Sequence, residues 1–272
     1  MMGAAMTASE SAIYDSLVVS RYIQSFGAAA VRTLMPCPQA AVVHLGCRTG
    51  YPAEAISHHL PGCSLTGVDS SHAALELART KASLISGLRT QYLHAEGFPT
   101  RLPSGQFSHS FVLHPLSHGG DYSAVLREQY RLLMPGGQMV LGLPLRGSFP
   151  ELYDMLREYA LRHDRPHFGE AVDAATSRRP NPETIVEQLE RVGFSEVDVG
   201  VELVAITFEN GRDFLDDPIA RLVVGPDVRV SIAGQQGTDE AMAYVTDAIA
   251  RYWSELTFEL TVNIGSISAR KL

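Results

Sequence analysis

AVVHLGCRTG, residues 41–50, is the stretch that decides how this chain is read. Ala41 to Leu45 is a short apolar run, Gly46 and Gly50 punctuate the next five residues, and Pro52 opens a stretch of helical character. A buried strand, a glycine turn and a helix in that order make a βα unit. The next segment repeats the pattern. Cys63 to Val68 ends at Asp69, Ser70 or Ser71 is placed to cap a helix, and Ala74, Leu75 and Ala78 share one face of that helix. Gln91 to Leu93 and Phe107 to Leu113 supply two further strands, the second ending at His114.

Downstream, Asp121 is placed to cap a helix that buries Tyr122, Val125, Leu126, Tyr130 and Leu133, and Pro135, Gly136 and Gly137 stop it before a strand at Met139 to Leu143. Asn181, Pro182 and Gly193 delimit another helix with Ile185, Leu189 and Val192 inward. A strand near Val197 to Phe208 comes next. Near the C-terminus Met242, Val245, Ile249 and Tyr252 fit a helix, and Phe258, Leu260, Val262 and Ile264 alternate as in a strand. Asp164 to Pro180 and Val224 to Thr238 read as irregular. Repeated βα units predict an α/β fold with a doubly wound, mostly parallel sheet and helices on both faces. Ligands then bind at the carboxyl ends of the strands, where Gly46 and Asp69 lie.

The 272 residues are 45% hydrophobic and 19% charged, enough to bury a sizeable core. With 22 Lys and Arg against 30 Asp and Glu, the net charge of −8 argues against a nucleic-acid or anionic-membrane partner. No apolar run reaches the roughly 18 residues of a membrane span, so neither membrane insertion nor export is expected, and a cytoplasmic location is. Cys37, Cys47 and Cys63 are odd in number and lack CxxC spacing, which argues against a disulfide framework or a structural zinc. His58, His59, His114 and His118 lack metal-ligand spacing too, and no metal is expected.

HLGCRTG (44–50), LTGVDSS (65–71), HAEGFPTRLPSGQFS (94–108) and LREQYRLLMPGGQMVL (126–141) stand in an order and spacing that resembles the small-molecule, class I S-adenosylmethionine-dependent methyltransferases. The resemblance runs from about Ala40 to the C-terminus. It implies a Rossmann-like sheet of seven strands with an antiparallel last strand, a helical preface at residues 1–39, and a domain at 40–272 with an insert at about 211–238. It also implies a cofactor site built from Gly46, Cys47, Arg48, Gly50, Asp69, Ser70, His94, Ala95 and Glu96, with Asp69 accepting from the ribose hydroxyls.

Several of those positions depart from the family pattern. His44 replaces the acid that ends the first strand, Arg48 replaces the middle glycine of the turn, His94 replaces the aspartate that accepts from adenine, and Ser108 replaces the acid after Phe107. Counted at reference ionisation states, the site becomes about four charges more positive, which disfavours a sulfonium ligand. Read without the resemblance, Gly46 and Gly50 are also simple turn residues, Asp69 a helix cap, and Arg178 to Pro180 a solvated approach to the Asn181 cap.

Three readings are compatible with this pattern. The first is a methyltransferase-fold protein with a degenerate pocket, non-catalytic and acting with a protein partner in a regulatory, scaffold or assembly role. The alternative is an active methyltransferase for a small-molecule substrate, using S-adenosylmethionine, with His114 or His118 assisting deprotonation. A second alternative is a binder of an anionic nucleotide held by the turn amides and Arg48.

Overall fold

The computed structural model describes residues 5–115 and 122–272. The βα alternation forms as the sequence predicts: β1 (Ala41–Leu45), α3 (Ala53–His59), β2 (Ser64–Asp69), α4 (His72–Ala82), β3 (Arg89–His94) and β4 (Phe107–Leu113). They are preceded by α1 (Ala8–Ile13), a π-helical stretch (Tyr14–Ile23) and α2 (Gln24–Val31). The strands form a seven-stranded sheet in the order β3-β2-β1-β4-β5-β7-β6. β1 to β5 (Leu133–Pro144) pair in parallel, whereas β7 (Phe258–Arg270) runs antiparallel to both β5 and β6 (Ser195–Phe208). The chain steps outward through β2 and β3 and returns on the far side of β1 at β4, so the carboxyl ends of β1 and β4 form the switch point.

Strand alternation divides the core. Val42 and Phe111 face one layer with the N-terminal helices, α3 and α4, while Val43, Leu45 and Val112 face the other, with α5 (Ser123–Leu132) and α8 (Pro182–Val192). α4 is capped by Ser71, whose hydroxyl accepts from Ala74 N–H. α8 begins with a reciprocal capping box between Asn181 and Thr184 and ends at Gly193 in the left-handed region. A cap of this kind is worth about 1 kcal/mol.

The stretches that read as irregular are helical in part. α6 (Pro150–Arg162) leads into α7 (Pro166–Arg178), and after α9 (Gly211–Asp216) and a π-helical turn (Ala220–Val224) comes α10 (Gly225–Ser231), before α11 (Thr238–Tyr252). Pro166 takes the first turn of α7, where its missing N–H costs nothing, and Phe168, Val172 and Ala175 bury that helix against its neighbours. The fifth helix also ends earlier than its periodicity suggests. Leu133 already pairs with Phe107 in the sheet, and the Lys271 ammonium takes the orphan carbonyls of Tyr130 and Leu133. Asp121, expected as this helix's cap, lies outside the described residues. No described helix is long and apolar enough to cross a membrane.

Glu128 pins the β3–β4 connection to α5. It is only 3% exposed, and one carboxylate oxygen accepts from Thr100 N (2.8 Å), Thr100 Oγ1 (2.5 Å) and Arg131 Nη2 (2.7 Å). Burial pushes this carboxyl up, but the bonds from Arg131 and Thr100 outweigh it and hold the pKa below 4.5. A depressed folded-state pKa gives stability that is present above the unfolded value and lost as pH falls through the folded one. Glu128→Ala is therefore expected to cost about 3 kcal/mol at pH 7 in urea denaturation, with the difference from the native protein shrinking below about pH 4.

Candidate functional site

Gly46 follows β1 at φ +66, and a Cβ built there meets nothing within 4 Å. Gly46 N and Cys47 N both donate to Val68 O (2.8 and 3.1 Å), and Gly50 N donates to Cys47 O, so the turn is tied to the end of β2 and closed on itself. Asp69 completes the junction. One of its carboxylate oxygens accepts from Arg48 N (2.9 Å), the other from Ser71 N (2.9 Å), and its carbonyl accepts from Ala95 N (3.0 Å). The sequence thus brings Gly46, Cys47, Arg48, Gly50, Asp69 and Ala95 together at the carboxyl ends of β1 to β3.

Arg48 occupies the left-handed region at φ +48, where a side chain costs about 1–2 kcal/mol. Its guanidinium lies 5.7 Å from the centroid of the Tyr14 ring, so it is neither free in solvent nor laid across the turn. His94 is exposed, stacks on His72 at 4.0 Å and donates from Nε2 to Ser70 O (3.1 Å). Glu96 is exposed and Cys47 is buried.

Of the four substitutions, one adds no cation to the site and another lies away from it. His44 is 1% exposed, edge-on to Phe111 at 5.4 Å, and burial depresses its pKa to about 3, so it is neutral. Ser108 lies near the start of β4, where its hydroxyl accepts from Ala41 N and donates to Ala41 O at the opposite end of the sheet from Asp69. Ser108 drops out of the excess counted from the sequence, leaving about three, since a neutral His44 still stands in place of an acid. The strand limits read from the sequence, Phe107 to Leu113, already put Ser108 at the amino end of that strand, away from the carboxyl ends where ligands bind.

What the sequence reading missed is the cover. The N-terminal helices lie across the carboxyl-end face and touch it at four points. Met6 N donates to Ser71 Oγ (3.1 Å) while that hydroxyl donates to Met6 O (2.9 Å). Asp15 accepts from Thr49 Oγ1 (2.6 Å) and pairs with Lys81. Tyr14 takes Arg48, and Tyr22 meets His114 at the end of β4, with 2.7 Å between Oη and Nε2. Burial pushes the Tyr22 hydroxyl well up and lowers His114 to about 4, so the bond joins a protonated phenol and a neutral imidazole. His114 is itself held at φ +40, and among the described residues its Nδ1 is unpartnered, as are both nitrogens of His44. Each such buried orphan costs about 1–3 kcal/mol. The only sequence signal for this cover was the apolar periodicity of residues 1–39. His118 lies outside the described residues.

Comparison with known proteins agrees with the geometry. A family model described as a methyltransferase domain matches residues 42–137. The fold is that of Haemonchus contortus phosphoethanolamine N-methyltransferase 2 in complex with S-adenosyl-L-methionine, at a TM-score of 0.56 and 18% identity over 97% of this chain and 57% of that one. The chain has the Rossmann-like methyltransferase fold. It is 26% identical to demethylmenaquinone methyltransferase of Thermus thermophilus over 167 residues, 57% of this chain and 74% of that enzyme. It is also 35% identical to the ubiquinone biosynthesis O-methyltransferase of Pseudomonas aeruginosa over 124 residues, which spans 44% of this chain and about half, 52%, of that relative's length.

Tyr22→Phe removes the bond to His114 and leaves Nε2 buried and unpaired. It is expected to cost about 1–2 kcal/mol and to speed amide hydrogen exchange across residues 14–31. Unchanged exchange in that segment would mean the bond does not hold the cover.

Proposed function

We propose that this chain is an S-adenosylmethionine-dependent methyltransferase acting on a small molecule, with the helices of residues 1–39 serving as a movable cover over the cofactor site of the 40–272 domain. The observation that carries this reading is the Asp69 carboxylate, held between the N–H groups of Arg48 and Ser71 beside the open Gly46 turn. Each carboxylate oxygen has two acceptor sites, so both keep capacity after these bonds, as recognition of a vicinal diol requires. The unpartnered nitrogens of His44 and His114 mark further buried groups that a ligand would satisfy.

The residues present therefore fit the cofactor once the cover moves. Gly46 lets backbone approach it, Gly50 closes the turn against Ala78 and Tyr92, Asp69 takes the ribose hydroxyls, and Ser70, Cys47, His94, Ala95 and Glu96 flank the adenosine side. Bound there, the cofactor supplies an electrophilic methyl group. The chain's own contribution is then positioning and exclusion of water. Neutral His114 meets the acceptor end with its Nε2 engaged by Tyr22, a bond that must open before Nε2 can act as a base. The names of the Thermus and Pseudomonas relatives support an active enzyme.

One observation favours a second, non-catalytic reading with a protein partner. Asp69 is 3% exposed beneath a cover fastened by named bonds, and a cofactor must displace that cover to bind. The anionic-nucleotide reading needs the Arg48 cation, which Tyr14 engages.

Calorimetric titration with S-adenosylmethionine and S-adenosylhomocysteine separates the two. Micromolar binding is expected, weakened about tenfold or more by Asp69→Ala through loss of its hydrogen bonds to the diol. No binding by the native chain, with binding gained by Arg48→Gly, would overturn the catalytic reading and favour the scaffold one.

A further inference from the structure

The junction between α7 and α8 holds a cation that the cofactor half does not use. From sequence, Arg179 reads as part of a solvated approach to the Asn181 cap; in the structure it is 4% exposed. Its Nη2 donates to Asp227 Oδ2 (2.6 Å) on α10 and to Tyr153 Oη (3.3 Å) on α6. The guanidinium stands 5.0 Å from the Phe149 ring centroid and 5.9 Å from that of Tyr153. Among the described residues its Nε is buried with no partner, although a guanidinium N–H is a strong donor that folded proteins rarely leave unspent.

Three further observations tie this cation to the acceptor end of the site. Arg146, two residues past the carboxyl end of β5, donates to the carbonyls of Arg179 and Pro180, and His114 N donates to Gly142 O on that same strand, so the group lies beside the carboxyl end of β4. Phe149, directly under the guanidinium, is held in the left-handed region at φ +61, a strain that a purely structural aromatic has no reason to carry. The surroundings are also cationic. Arg146 donates to the carbonyls of Arg179 and Ser177, and Arg178 to that of Ser231, so three arginines gather at this junction beside the Asp227 carboxylate. Phe149 and Tyr153 stand beside the guanidinium, and Tyr22 and Phe26 pack against His114.

Building on the methyltransferase reading, we infer that Arg179 recognises the methyl acceptor, its free Nε–H donating to an acidic oxygen of a small planar aromatic acid held at the His114 end of β4. Charge-assisted donation of this kind sets specificity, because an acceptor lacking the oxygen leaves the donor buried and unpaired. The Asp227 partner keeps the guanidinium's outer edge fixed and so presents Nε in one orientation.

The test is titration of 3,4-dihydroxybenzoate and of neutral catechol into the full chain with S-adenosylhomocysteine present. Two variants are compared. Arg179→Lys keeps the charge and removes Nε, and the double variant Arg179→Met with Asp227→Leu removes the buried pair together, so that neither charge is stranded. Native protein is expected to bind the acid at least tenfold more tightly than catechol. Both variants are expected to lose about tenfold or more for the acid, with affinity for S-adenosylhomocysteine within about twofold of native. Equal binding of acid and catechol, no binding of the acid, or unchanged acid affinity in both variants would overturn the assignment. If S-adenosylhomocysteine fails to bind while the acid still binds in an Arg179-dependent way, the methyltransferase reading falls and the acid site stands.

Discussion

Two backbone N–H groups, from Arg48 and Ser71, converge on one carboxylate, and much of the molecule's working end depends on that convergence. Asp69 ends β2, the glycine turn ends β1, and α4 begins at Ser71. By accepting from both neighbours, the Asp69 side chain fixes the turn against the helix start and holds its own negative charge near the positive end of α4. Without it, the turn would rest on the bonds from Gly46 and Cys47 to Val68 and on its internal closure at Gly50. The arrangement explains how Arg48 is tolerated where a glycine is conformationally easier. Its N–H is committed to Asp69, its side chain rests on Tyr14, and these bonds offset a left-handed backbone.

Covering this junction with the chain's own N-terminal helices changes its energetics. The contacts through Ser71, Asp15 and Tyr14 are polar or cation–π, each worth about 1 kcal/mol or less, while beneath them His44 and His114 keep buried nitrogens without partners. Apolar burial holds the cover too, since Val18, Ile23, Phe26 and Ala30 share one core with Val42 and Phe111, so a ligand that displaces it must offset that burial as well as satisfy the buried nitrogens. The π-helical stretch Tyr14–Ile23 serves the same end: it carries Tyr14 and Tyr22 onto Arg48 and His114, and wide helical turns of this type occur often at functional sites.

The electrostatics of the site depend on burial more than on residue type. His44 is uncharged because it is sealed under Phe111, and Ser108 serves the far end of the sheet, so substitutions that look alike in the sequence have unlike consequences. The cationic character concentrates instead around the α7–α8 junction, where Arg146 and Arg178 flank the Arg179–Asp227 pair. On the proposed reading, an oriented carboxylate governs the cofactor side of the site and a caged guanidinium its acceptor side.

Local pattern was enough to determine the βα alternation, the glycine turn after β1, Asp69 at the end of β2, the Asn181–Gly193 helix limits and the alternating last strand, because each depends on neighbours a few residues away. α7 and α10 escaped that reading, since helices carrying Gly169 and Gly225 and few periodic apolar residues form through packing against distant partners. Tyr22 on His114, Met6 on Ser71 and Arg179 on Asp227 join residues 92, 65 and 48 positions apart. Nothing in a linear string reports which side chains will meet across such separations, or which will lose their charge by burial. Tertiary structure decided those, because pairing and desolvation are properties of the packed interior.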